Sequence, residues 1–111
     1  MKRTIIIAAA LSLAAVAAHA SIIGSIDTVN QEGQPGGQQL FFDATCDSIA
    51  AALPNDPAAG FFRGKADKYF VAQMDAAGKA TVYGCYVRQG YSAIISWQDG
   101  TTQVRVVPWM N

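Results

Sequence analysis

The sequence predicts an α+β domain: one or two short helices packed on a curled antiparallel meander of about four strands, stapled by one disulfide. Three observations predict it. Apolar residues recur at helical spacing over Cys46, Ile49, Ala50 and Leu53, at i, i+3, i+4 and i+7. From Ala66 onward the apolar period changes to two, and glycine-bearing links interrupt it. Cys46 and Cys85 are the only cysteines, in a chain whose opening residues read as an export leader.

That leader is residues 1–20. Lys2 and Arg3 give a positive start, Ile5 to Ala17 an apolar run, and Ala18-His19-Ala20 a small-x-small cleavage site. The apolar run is shorter than the roughly 20 residues that a spanning helix needs. Cleavage therefore leaves a chain that begins at Ser21, is soluble, and works in the periplasm or outside the cell, with no membrane insertion. Position 21 is not cysteine, which argues against a lipid-anchored product. Removing these twenty residues from 111 leaves 91, room for one small domain with a marginal core. It also removes His19, the single histidine.

Residues 21–39 read as an arm and tether. Ile22, Ile23, Ile26 and Val29 make the first half either a short edge strand or a mobile arm, and their spacing does not decide between them. Asn30 to Gln39 is a Gly, Gln and Pro stretch expected to be flexible, because it carries too little apolar surface to fix itself. The ordered domain is expected over 40–111, from Leu40-Phe41-Phe42. Asp43 or Thr45 can cap the first helix, whose apolar face holds Cys46, Ile49, Ala50 and Leu53, and Pro54 ends it. Asp56 as cap and Pro57 at the first helical position open a second helix over roughly 57–62, with Phe61 and Phe62 buried.

Strands are expected at 68–74, 79–88, 91–97 and 102–107, joined by Asp75-Ala76-Ala77-Gly78, Gln89-Gly90 and Asp99-Gly100. A two-residue Asp99-Gly100 turn places Ile95 opposite Val104 and Ala93 opposite Val106. A two-residue Gln89-Gly90 turn places Cys85 opposite Ile94, on the other face. Tyr86, Ala93, Ile95, Trp97, Val104 and Val106 then share one face, while Tyr83, Cys85, Val87 and Ile94 share the other with the helices. Two short helices cannot cover both. The first set is either closed by curling and the 21–29 arm, or left as an apolar patch; the expectation is partial exposure around Tyr86 and Trp97, the type of surface that marks an interaction site. The pairing of Cys46 with Cys85 closes a loop of about 40 residues, for which chain entropy gives roughly 4 kcal/mol.

Charge and side-chain chemistry narrow the function. Without Lys2 and Arg3 there remain six basic residues against eight acidic ones, a net charge of −2. Nucleic acid and anionic membrane call for clustered positive charge, and the one local group, Arg63, Lys65 and Lys68, reads as a solvated helix end and loop. Without histidine or a free thiol, the standard nucleophilic triads and common zinc sites are missing, and no glycine motif cradles a phosphate. Asp43 and Asp47 are the nearest carboxylate pair, but a cap and a first-turn charge explain them, as a turn explains Asp99. No cofactor is expected. The aromatic residues read mostly as packing, and Trp109-Met110 as a docked chain end.

Cys46 to Pro54 form a cysteine-opened helix that closes with Leu-Pro; Gly84-Cys85-Tyr86 and Trp97-Gln98-Asp99-Gly100 follow, with a terminal apolar strand. In this pattern, over about residues 45–108, the chain resembles a loose set of small exported or phage-borne bacterial proteins without an assigned function. Tyr86 stands where those proteins often have tryptophan. The resemblance implies a compact disulfide-linked domain and carries over no site. The functional expectation is a small exported, non-enzymatic module that binds a protein or envelope component. The alternatives are a small hydrolase that uses two carboxylates on an envelope glycan, and a purely structural envelope protein.

Overall fold

The structure, a computed structural model, describes residues 21–29, 32–53 and 55–110. The expected leader and Pro54 lie outside the described residues. Six strands form one antiparallel sheet in sequence order: β1 (Ile22–Val29), β2 (Pro35–Thr45), β3 (Tyr69–Met74), β4 (Ala80–Gln89), β5 (Ser92–Trp97) and β6 (Thr102–Val106). Two short helices, α1 (Cys46–Ala52) and α2 (Ala59–Phe62), lie between β2 and β3. The sheet is curled into a half-barrel, as the α+β expectation has it. No helix among the described residues is long and apolar enough to cross a membrane.

The described residues of the stretch read as arm and tether are structured. Residues 22–29 are edge strand β1, and Pro35 to Gln39 are the first half of β2, with Asp27 opposite Gln38 and Ile26 opposite Gln39. Composition misleads here because strand pairing, not apolar burial, holds the segment. Pro35 stands at the first strand position, where a missing N–H costs no ladder bond. At Gly37 (φ 121°) an added Cβ would lie 2.0 Å from the Met74 carbonyl oxygen, so only glycine fits that approach of β2 to β3.

Helix α1 starts where Thr45 caps it: the Thr45 hydroxyl accepts from the Ser48 N–H at 3.3 Å, and Ser48 Oγ donates to the Thr45 carbonyl at 2.7 Å. Asp56 turns the chain into α2 by accepting from the Ala58 N–H at 2.9 Å. The helix face predicted from spacing is the one that packs. Phe42, Cys46, Ile49, Leu53, Phe62, Phe70 and Cys85 belong to one buried cluster between the helices and the outer face of the sheet. Cys46 and Cys85 are bonded, with Cα atoms 6.2 Å apart, within the normal span. The bridge clamps α1 to β4.

The opposite face forms a second cluster of Phe41, Val71, Tyr86, Ala93, Ile95, Trp97 and Val107, with Ile26, Val82 and Trp109 against it. Curling closes it. The segment after β6 crosses to the first strand, where the Met110 N–H donates to the Ile23 carbonyl at 2.9 Å, and Gly24 is so close that an added Cβ would lie 2.7 Å from Val107 Cγ1.

Two hairpins differ from expectation, with opposite consequences. The β4–β5 turn is Gly90-Tyr91, since Gln89 pairs with Ser92. Gly90 has φ 59° and, among the described residues, none other than glycine has positive φ, so the turn takes glycine at its first central position. Sliding by one residue along each strand keeps the faces, so Tyr86 lies opposite Ile95 and Cys85 opposite Ser96. The β5–β6 link is a three-residue loop, Gln98 to Gly100, closed by Trp97 N–H to the Thr101 carbonyl at 2.8 Å and Gly100 N–H to the Trp97 carbonyl at 3.0 Å. A two-residue primed turn would force positive φ on Asp99, and the longer loop confines it to Gly100 (φ 93°). This one-residue slip reverses β6. Ile95 faces Gln103 and Ile94 faces Val104, so Val104 and Val106 lie on the outer face, 64% and 73% exposed, instead of joining Tyr86 and Trp97.

Two outcomes are expected. Breaking the disulfide with reductant should lower unfolding stability by about 2–4 kcal/mol, read from urea midpoints with and without reduction. At Gly84 an added Cβ would meet Trp97 Cε3 at 2.8 Å, the Ser96 carbonyl at 3.0 Å and Val71 Cγ1 at 3.1 Å. Gly84→Ala should therefore cost about 1–3 kcal/mol in the same measurement.

Candidate functional site

Tyr86 and Trp97, expected to be partly exposed, are interior: 1% and 6% exposed. The expected patch is closed for three reasons. Residues 22–29 form a strand, the sheet curls, and Trp109 folds over the opening. The Trp109 ring stacks on Tyr86 at 5.7 Å between centroids and meets Phe41 edge-on at 5.6 Å, while the Arg88 guanidinium lies over the ring 4.3 Å from its centroid. Tyr86 donates its phenol hydrogen to the Phe42 carbonyl at 2.7 Å, near where the β2–β3 register shifts. Trp109 is docked, as expected of the chain end; Met110 is exposed.

The exposed apolar surface lies on the outer face instead. Val87, Ile94 and Val104 are directly opposite one another across β4, β5 and β6, and Val106 lies further along the edge strand. The helices pack on the other part of that face, reaching β4 through Phe62 against Tyr83 at 6.0 Å. The sheet edge adds a second feature. Trp97 N–H and Val107 N–H bond across β5–β6 to Thr101 and Tyr91, so odd-numbered residues turn their backbone toward β5. By the antiparallel alternation, Thr102, Val104 and Val106 turn their N–H and C=O groups away from it. All three side chains are exposed as well.

Hollows mark the surface of the described residues. One of about 460 Å³ lies between the β1–β2 end and the β3–β4 turn, lined by Val29, Pro35, Leu40 and Met74 among others. Another, about 380 Å³, is lined by Ile23, Asp43, Tyr69, Tyr86 and Arg88. The third, about 340 Å³, is the most polar, lined by Gln39, Gln73, Val82, Trp97, Asp99, Thr101, Thr102 and Gln103. Gln39 is 3% exposed; its Nε2 donates to Gln73 Oε1 and Gln103 Oε1 at 3.0 Å each, while its own Oε1 is buried without a donor. Sequence reasoning missed all three glutamines. The available signal was their position: Gln39 precedes Phe41 by two, Gln73 follows Val71 by two, and Gln103 alternates with exposed residues, which places each inside.

The carboxylates behave as local structure. Asp43 is in β2 and accepts from the Ser21 N–H at 2.8 Å, Asp47 accepts from the Gly64 N–H at 2.9 Å, and Asp99 accepts from the Thr101 N–H and hydroxyl at 3.0 and 2.6 Å. The Thr101 hydroxyl and N–H hold the Asp99 carboxyl below its ordinary value. Among the described residues no group of three His, Cys, Asp or Glu side chains is placed to hold a metal. Comparison with protein-family models finds no match to this chain, and comparison with curated proteins and with solved structures finds no similar protein.

Burial pushes the Tyr86 phenol well above the ordinary tyrosine value; Arg88 opposes this, and Tyr69 and Asp43 add to it. The stability this contributes is present below about pH 10, where the unfolded phenol also keeps its proton, and is lost as pH rises and only the unfolded chain ionises. Tyr86→Phe should cost about 1–3 kcal/mol at pH 7, because it leaves the Phe42 carbonyl short of a donor. Above about pH 10 the variant should lose stability less steeply than the native chain, as denaturation at stepped pH would show.

Proposed function

We propose that this chain is an exported, non-enzymatic interaction module that takes up an extended segment of a partner polypeptide on β6. The carrying observation is that Thr102, Val104 and Val106 combine outward backbone groups with exposed side chains, beside the apolar row Val87, Ile94 and Val104. An added antiparallel or parallel strand would gain main-chain bonds from these three residues, and its alternate side chains would lie on the valine row. Soluble proteins usually guard an edge with charge or proline, and the outward positions of β6 carry neither. The reading moves the interaction surface from Tyr86 and Trp97 to the outer face. The carboxylate-hydrolase alternative gains no supporting observation, since Asp43, Asp47 and Asp99 each have their own local donor.

Selection of displayed peptides against the native chain, followed by amide hydrogen exchange, tests this. Bound peptides should slow exchange at Thr102, Val104 and Val106, and Val104→Lys should weaken them at least roughly tenfold while leaving the urea midpoint in place. Selected peptides that leave those amides unprotected would overturn the proposal. So would protection that grows with protein concentration alone, since a second copy would then occupy the edge.

A further inference from the structure

We propose that the polar hollow beneath Gln39 is a binding site for a neutral, hydroxyl-bearing ring, that is, a single sugar unit. The orientation of its amides is set by one group that has no choice. The Trp97 indole N–H can only donate, and it lies 3.2 Å from Gln103 Oε1. Gln103 must therefore turn its oxygen toward Trp97 and Gln39, which leaves its Nε2 hydrogens with no protein acceptor among the described residues. Gln73 is equally fixed, because its Nε2 donates to the Gln38 and Met74 carbonyls at 3.4 and 3.1 Å. Gln39 gives both hydrogens to these two oxygens, so its own oxygen is left with lone pairs and no donor. A buried acceptor without a partner is costly, and native interiors seldom keep one without use.

The unused donor belongs to Gln103 and the orphaned acceptor to Gln39, and both residues line one hollow of about 340 Å³. A hydroxyl group fits that pair, since it donates and accepts at once. Val82, with the small exposed part of Trp97, supplies apolar wall for the carbon face of a ring, as small-ligand sites ordinarily combine apolar lining with few polar groups. Charged ligands fit less well. No cation lines the hollow, and the Asp99 carboxylate is taken up by Thr101. Gln39 Oε1 is itself covered, so entry of the ring turns the Gln39 amide alone and exchanges its bonds to Gln73 and Gln103 for bonds to the ring.

Titration of the isotope-labelled protein with glucose, N-acetylglucosamine and chitotetraose, followed by NMR, tests the site. The side-chain amide signals of Gln39 and Gln103 and the indole signal of Trp97 should shift together and saturate. A preference for the monosaccharides would identify a free sugar as the source, and a preference for chitotetraose a glycan chain end. Gln39→Leu removes the orphaned oxygen, so it should keep or raise the urea midpoint yet abolish the shifts; Gln103→Leu, at a less buried position, should weaken binding at least roughly tenfold. Folded native protein whose three signals do not move with any of these probes would overturn the proposal. An ordered water on Gln39 Oε1 that none of the sugars displaces would do the same.

Discussion

A single sheet with apolar side chains on both faces has to hide most of both, and here the helices cover only part of one. Phe42, Phe70 and Cys85 look outward to α1 and α2, while Phe41, Val71, Tyr86 and Ile95, one residue away in each strand, look inward. Covering the inner set without a second layer requires the sheet to curl until its own ends meet. Everything else follows from that. Gly24 is bare because Val107 and Trp109 must come down on it, Gly84 because Trp97 must lie flat across it, and Trp109 completes a wall that no strand supplies. Tyr86 ties the arrangement together, with its ring under Trp109 and its hydroxyl on the β2 backbone.

The helical part of this was legible. Cys46, Ile49, Ala50 and Leu53 announce their face by spacing, Thr45 is a cap by chemistry, and the pairing of two cysteines in an export-type chain needs no geometry to suggest. Strands β3 to β6 were legible as elements but not in register. The dipeptide Asp99-Gly100 looks like a two-residue turn, yet a three-residue loop spares the aspartate a left-handed backbone, and that single residue of slip decides which way Val104 and Val106 point. Strands β1 and β2 were hidden for another reason. Their glycines and glutamines signal solvent, whereas their fixation comes from ladder hydrogen bonds, of β1 to β2 and of β2 to β3 beyond the helices, which composition does not encode.

The same blindness concealed the glutamines. A glutamine in a Gly/Gln stretch reads as tether, but Gln39 is among the most buried polar residues of the fold, held between Gln73 and Gln103. The structure thus separates two kinds of surface that the sequence had merged around its tryptophans. Trp97 is interior, where its indole directs an amide network; the exposed apolar row runs over β-branched residues outside. Neither surface depends on the carboxylates that were the only catalytic candidates.

The strand order has a consequence for how the chain comes together. Each strand pairs with its neighbour in sequence, so each pair can form once its own two strands and the segment between them are available. Two links do not share this property: the bridge from Cys46 to Cys85, and the seam that brings Met110 to Ile23. The first spans 39 residues and the second nearly the whole sheet, and loop closure over such lengths is cheap only after the intervening segments are in place. The disulfide is therefore a latch that closes on an assembled sheet instead of steering its assembly. The seam, bound by fewer groups than any ladder, is the place where the half-barrel opens first.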